Sequence, residues 1–247
     1  MSSPIPWLER DTPFPLPPWR KGPFPGLVAG GGDLSPGRLL QAYRQGLFPW
    51  YEHGDPILWW SPDPRGVIVP AELHIARRLR RDLPHYHYRI VIDHDFMAVM
   101  QGCAMDRPGE TGTWIHPEMI DAYVRLFHLG HAHAFAVYDE DELIGGLYGV
   151  TVGRIFCAES MFSRQSNASK LALIASVLWL AAAGCPLIDT QLLNPHIARL
   201  GAKEIPRASY LAILKREQSE HLRDPWQTGR DLMPWLQQLD VRGSPRP

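Results

Sequence analysis

The chain predicts an α+β fold, with a mixed-sheet domain preceded by a smaller amino-terminal α/β module. Three features carry that reading. The hydrophobic period changes from helical to alternating after Gly130, a strongly apolar helix follows the strands, and one more apolar strand follows that helix. At 247 residues and 45% apolar composition, the chain can bury one large core or two modest ones. The change in pattern places the module at residues 1–94 and the larger domain at 95–247.

Taken in order, residues 1–26 are rich in proline and poor in helical runs, which predicts an extended arm on the surface or against a neighbouring domain. Ser35 and Pro36 then offer a cap and a first helical residue. Leu39, Leu40 and Tyr43 keep helical register, and Gly46 stops the helix just after Tyr43. Residues 47–65 are dense in aromatics and prolines without a period, the mark of a shaped loop. A short strand at 67–69, a helix at 72–81, a strand at 86–93 and a helix at 95–104 follow.

Pro117 opens a helix that Gly130 stops, after which 132–138 and 143–152 flank an acidic turn as a hairpin and 154–162 continues the meander. An apolar helix over 168–183 leads to a strand at 187–190, and helices near 194–200 and 207–217 close the fold.

Composition narrows the function. The net charge of −1 argues against a general nucleic-acid coat, because such binding neutralises many phosphates together. Three cysteines without a Cys-x-x-Cys pair indicate neither a disulfide framework nor a zinc cluster, and fit a reducing cytoplasm. No apolar run reaches membrane-spanning length, and the first 25 residues lack the apolar centre of a secretory signal.

Four groups could carry chemistry. Asp189 and Gln191 end an apolar strand, where alternation places them on one face; they could take a proton from an amine and orient a carbonyl, or Asp189 could cap the next helix. Glu159 stands in an apolar strand after the glycine-rich 145–149, a costly place for an acid without a partner; an incoming basic side chain or an internal cation would serve. Trp50, Trp114 and Tyr123, with Tyr51, Trp59 and Trp60, could stack on a base, enclose an apolar side chain or fill the core. Arg77, Arg78, Arg80 and Arg81 set positive pairs three and four residues apart on a helix, suited to phosphates or to a solvated face.

In order along the chain, Gly31-Gly-Asp-Leu-Ser35, Gly46-Leu-Phe-Pro-Trp50, Leu58-Trp-Trp-Ser-Pro-Asp-Pro-Arg65, Gly146-Leu-Tyr-Gly149, Glu159-Ser-Met-Phe-Ser163, Asn167-Ala-Ser-Lys170, Leu187-Ile-Asp-Thr-Gln191 and Leu200-Gly-Ala202 resemble the leucyl/phenylalanyl-tRNA-protein transferase family. The resemblance spans about residues 25–215 and implies an acetyltransferase-like (GNAT-type) larger domain that uses no acetyl-CoA. The expected pyrophosphate loop would fall at 164–169, where both of its glycines are missing.

The resemblance implies transfer of Leu or Phe from aminoacyl-tRNA to a protein beginning with Arg or Lys, marking it for N-degron-dependent degradation, without metal, cofactor or covalent intermediate. Asp189 and Gln191 would be the catalytic pair. Glu159 and Asn194 would lie beside them, Tyr43 would reach in from the module, and Trp50, Trp114 and Tyr123 would line the pocket. Arg77 and Arg81, with Arg78 and Arg80 between them, would meet the acceptor stem. An apolar pocket separates side chains by only about 1 to 3 kcal/mol per methylene, so methionine would also enter.

Two positions depart from the pattern: Ala134 and Ala136 stand where a Ser-x-Glu pair is usual, and Thr190 stands for cysteine or serine. A non-catalytic RNA-binding protein and a CoA-dependent N-acyltransferase remain as rivals.

Overall fold

A computed structural model describes residues 5–19, 24–105 and 113–238. In the arm, strand β1 (Trp7–Leu8) lies parallel to β2 (Leu27–Gly31). Helix α1 (Pro36–Arg44) begins as its cap signal dictates, with Ser35 Oγ accepting from the Arg38 N–H at 3.4 Å, and Gly46 at φ +75° ends it. From α1, the buried Arg38 guanidinium donates to the carbonyls of Glu9, Arg10 and Thr12, so the arm is tied to the module through its main chain.

The aromatic segment contains two strands, β3 (Phe48–Pro49) and β4 (Leu58–Trp60), rather than loop alone. At two and three residues they are too short to display a period. They complete a four-stranded sheet of order β1-β2-β4-β3, in which buried Trp59 donates Nε1–H to the Gly31 carbonyl at 2.8 Å.

The larger sheet takes in β5 (Arg65–Ile68), β6 (Arg89–Ile92), β7 (Ala132–Asp139), β8 (Glu142–Val152), β9 (Ile155–Ser163), β10 (Ile188–Gln191) and β11 (Lys203–Ile205). Its order is β11-β5-β10-β9-β8-β7-β6, antiparallel except where β10 runs parallel to β9. Because β5 and β6 hydrogen-bond into this sheet, the break between the two sheets falls between residues 60 and 65. Chain order groups these two strands with the module, whereas their ladders place them in the larger sheet.

The expected helix at 72–81 is only a 3-10 turn (Pro70–Glu72) followed by α2 (Arg77–Asp82), because the His74 N–H between them pairs with the Leu200 carbonyl. Helices α3 (Phe96–Ala104) and α4 (Pro117–His128) cover one face of the sheet, and α5 (Ala168–Ala182) covers the other. Short α6 (Pro195–Ala198), α7 (Arg207–Glu217) and α8 (Met233–Gln237) follow. Among the described residues no helix is long and apolar enough to cross a membrane.

Alternation along β7 turns Ala132, Ala134 and Ala136 toward α3 and α4 and Phe135 and Val137 toward α5. The departure at 134 and 136 therefore sits in the core under the helices. Gly149 serves packing and not a ligand: a Cβ there would lie 2.2 Å from the Cys157 carbonyl oxygen. It borders a bulge in which Tyr148 and Gly149 oppose Ser160 and Ala158, leaving Glu159 as the extra residue of β9.

Gly149→Ala should therefore lower stability by about 1–3 kcal/mol through overpacking, whereas Gly37→Ala, with open space around it on α1, should raise it by about 0.5 kcal/mol. Urea unfolding midpoints of the two variants test both signs.

Candidate active site

Parallel pairing of β9 with β10 ends at Cys157 and Asp189, and beyond that point the strands part. The gap opens into a cleft of about 640 Å³. Its walls are Phe48 to Trp50 from the module, Trp114, residues 158–163 of β9 with Arg164 after it, Leu173 of α5, and Thr190 and Gln191 of β10 with Leu192 and Asn194 after it.

Asp189 does not border this cleft. It is fully buried, and both carboxylate oxygens are engaged. Oδ1 accepts from Arg65 Nε at 2.8 Å and from the Gln191 N–H at 3.0 Å; Oδ2 accepts from Arg65 Nη2 at 2.6 Å and from the Tyr210 hydroxyl at 2.7 Å. Burial pushes this carboxyl up, but the Arg65 charge and the hydrogen bonds outweigh it and hold the acid below the usual carboxylate range.

Strict alternation had placed Asp189 and Gln191 side by side on one face. Instead β10 is bulged between them, and Gln191 adopts a left-handed backbone at φ +56°. The residues after it then cross directly over Gly66, where a Cβ would meet the Leu192 carbonyl carbon at 2.6 Å. Nor does Asp189 cap the next helix: Asn194 Oδ1 does, accepting from the His196 and Ile197 N–H groups, while Asn194 also borders the cleft.

Gln191 and Glu159 do meet in the cleft. Gln191 Nε2 donates to Glu159 Oε1 at 2.7 Å, and Tyr123 donates its hydroxyl to Oε2 at 3.3 Å. Tyr43 shares a hydrogen bond with Tyr123 and also bonds Glu159. Both tyrosines are buried and brace Glu159 from behind, where the sequence had Tyr43 reaching into the site and Tyr123 lining the pocket. Among the described residues no cationic side chain pairs with Glu159. Burial and the nearby Asp189 charge, opposed by the two tyrosine hydroxyls and by Arg65, leave its carboxyl raised to about 8.

Trp50 and Trp114 line the cleft as expected, and Trp60 supports the first by donating Nε1–H to the Trp50 carbonyl at 2.7 Å. Thr190 also faces the cleft, with its hydroxyl buried and without a hydrogen-bond partner.

On α2, Leu79 is buried, Arg77, Arg78 and Arg81 are exposed, and Arg80 is half-buried. Arg78 and Arg81 contact Asp82 at 3.7 and 3.0 Å. Arg78 shares a surface depression with Lys170 of α5, a second cation that sequence reasoning had not singled out. Arg65 and Tyr210 were missed too. Their signal was an arginine opening the buried strand Arg65-Gly-Val-Ile and an aspartate in Leu187-Ile-Asp-Thr, opposite charges in two apolar strands. Among the described residues no group of three or more His, Cys, Asp or Glu is arranged to hold a metal ion.

Comparison with known proteins places relatives beside this geometry. The profile described as leucyl/phenylalanyl-tRNA protein transferase matches residues 67–215, and that of the same family's N-terminal domain matches 32–63. A leucyl/phenylalanyl-tRNA--protein transferase of Anaeromyxobacter sp. (strain K) is 51% identical over 228 residues, covering 92% of this chain and 97% of the relative. The protein of that name from Escherichia coli O157:H7 is 54% identical over 191 residues, covering 77% and 81%. Among solved structures, L-PGS from Bacillus licheniformis aligns with 68% of this chain and 53% of its own at 11% identity, with a TM-score of 0.39, too slight a likeness to bear on the fold.

The raised Glu159 carboxyl has a consequence for stability. The folded chain keeps this proton up to about pH 8, whereas the unfolded chain releases it near 4.5. The contribution to folding is therefore complete below pH 4.5 and is lost as pH rises toward 8. Glu159→Gln removes that loss, so urea midpoints of the variant should gain on wild type between pH 5 and pH 8.5. A constant difference across that range would contradict the raised carboxyl.

Proposed function

The chain belongs to the leucyl/phenylalanyl-tRNA protein transferase family, and from that premise we propose that its cleft performs the aminolysis of an aminoacyl ester. It is an aminoacyltransferase that moves Leu or Phe from aminoacyl-tRNA to the amino terminus of a protein. The observation that carries the site assignment is the contact of Gln191 with Glu159 in the cleft.

An amine attacks an ester only when it is neutral. The acceptor amine reaches the cleft neutral, its ammonium proton having passed to solvent, and Gln191, whose Nε2 is already given to Glu159, offers its amide oxygen to orient it. As the nitrogen adds to the ester carbonyl, the ionised fraction of Glu159, present near neutral pH because its carboxyl is raised to about 8, takes the proton leaving that nitrogen; the bond to the ribose oxygen breaks, and Glu159 returns the proton to that oxygen. Ester becomes amide, a downhill exchange that needs no ATP. Asp189, sealed behind Gln191, acts by positioning, since its contact is with the Gln191 main-chain N–H and not the side chain.

Trp50, Trp114, Leu147, Met161 and Leu173 offer an apolar surface to a Leu or Phe side chain and to the terminal adenosine, and such a surface discriminates weakly against methionine. Glu159 is the one acid lining the cleft among the described residues, and a cationic side chain beside it would favour its ionised form, which supports acceptors beginning with Arg or Lys. Arg77, Arg78, Arg80 and Arg81 meet acceptor-stem phosphates. The reaction leaves a bulky apolar residue at the acceptor's amino terminus, a mark for N-degron-dependent degradation in the cytoplasm. Architecturally, we read a GNAT-like catalytic domain behind a small amino-terminal module, divided at the break between the two sheets.

With radiolabelled Leu-tRNA or Phe-tRNA, label should enter a peptide beginning with Arg and not one beginning with Ala, and Glu159→Gln should slow transfer by about 100-fold. Retained tRNA binding without transfer would favour a non-catalytic RNA-binding protein. Arg77→Ala with Arg81→Ala should weaken tRNA binding and flatten the slope of log K against log salt by about 1 for each phosphate no longer neutralised. An unchanged slope would leave α2 as a solvated face.

A further inference from the structure

Arg65 has no part in the chemistry above, yet it contacts Phe48 on one wall of the cleft and Asp189 behind the other. Its guanidinium is 1% exposed and lies between two rings, 4.5 Å from the Tyr210 centroid and 5.2 Å from that of Phe48. Nε and Nη2 grip the Asp189 carboxylate side-on, and Nη1 donates to the Gly46 carbonyl at 3.0 Å. Gly46 and Phe48 lead into the Phe48 to Trp50 wall, whereas Asp189 leads into Gln191.

The four acceptor positions on Asp189 are filled by two Arg65 donors, Tyr210 and the Gln191 N–H. None is left for a substrate proton. What Asp189 does control is the backbone of Gln191, a non-glycine residue in the left-handed region that persists only while its surroundings hold it there. Release of that N–H frees the residue to relax toward extended backbone, which would swing its amide away from Glu159.

We propose that Arg65 and Tyr210 are positioning residues for the transfer reaction: together they fix Asp189, Asp189 fixes the bulge at Gln191, and Arg65 holds the opposite wall of the cleft through Gly46. The inference rests on the reading that Gln191 faces the reacting ester. It assigns kcat, and not tRNA affinity, to the clamp, because neither residue borders the cleft.

Tyr210→Phe removes one hydroxyl from a fully buried ring and tests the idea with least risk to folding. The expected result is a fall in kcat of about 10-fold, with KM for Phe-tRNA within about twofold of wild type and a melting temperature lowered by only a few degrees, so that the chain stays folded at the assay temperature. The double variant Tyr210→Phe/Gln191→Ala should then be no slower than Gln191→Ala alone, because both changes disable one device. Arg65→Lys keeps the charge but loses the side-on grip, and should fall further in kcat, again without added effect on Gln191→Ala.

If Gln191→Ala loses activity while Tyr210→Phe matches wild type, or if the two losses multiply, the clamp is overturned and the site assignment stands. Full activity in Gln191→Ala would overturn the site assignment and this inference with it.

Discussion

The pair of Arg65 with Asp189 is the contact on which the site depends. Burying a guanidinium and a carboxylate carries a desolvation cost of several kcal/mol for each ion, and removing one partner alone costs about 3–5 kcal/mol more than the intact pair. That cost is offset here by side-on geometry, by the Tyr210 hydroxyl, by the Gln191 N–H and by two flanking rings. Four segments distant in the chain, at 46–48, 65, 189–191 and 210, thereby become one unit. None can shift without exposing a charge to an interior that cannot solvate it.

Next to this ionised carboxylate stands a second carboxyl of opposite disposition. Asp189 is held low by a cation, while Glu159, with only an amide and two hydroxyls for company, is raised to about 8. Two acids on neighbouring strands are thus given separate tasks by their surroundings, one a fixed charge and the other a group able to exchange protons near neutral pH. The strands make this arrangement possible by bulging. In a regular ladder side chains alternate to the two faces of the sheet, whereas here β9 is bulged against β8 and β10 against β5, and the Glu159 and Gln191 side chains meet where β9 and β10 part.

Much of this was legible from residue order. Ser35 with Pro36, Pro117 with Gly130, and the alternation in 132–152 state their elements locally, and the structure places them within a residue or two. The motifs also bring Glu159, Gln191, Asn194, Trp50 and Trp114 to one cleft. What failed was anything set by partners far away. Strands of two or three residues, such as Phe48–Pro49 and Lys203–Ile205, exist because other strands pair with them. The facing of Asp189 could not be read by counting alternate residues, because the bulge at Gln191 depends on Gly66 in another strand. The tyrosines were recognised, but their place behind Glu159 is a matter of packing between α1 and α4.

The amino-terminal arm is held on different terms. Arg38 grips it by three main-chain carbonyls and β2 by backbone pairing, so outside Trp7, Leu8, Phe14 and Trp19 the described part of the arm is recognised as polypeptide and not as a particular sequence. A segment held in this way is free to diverge. Lineages can rewrite its prolines and charges while the module beneath keeps the same surface, and drift in the arm carries no message about drift in the cleft.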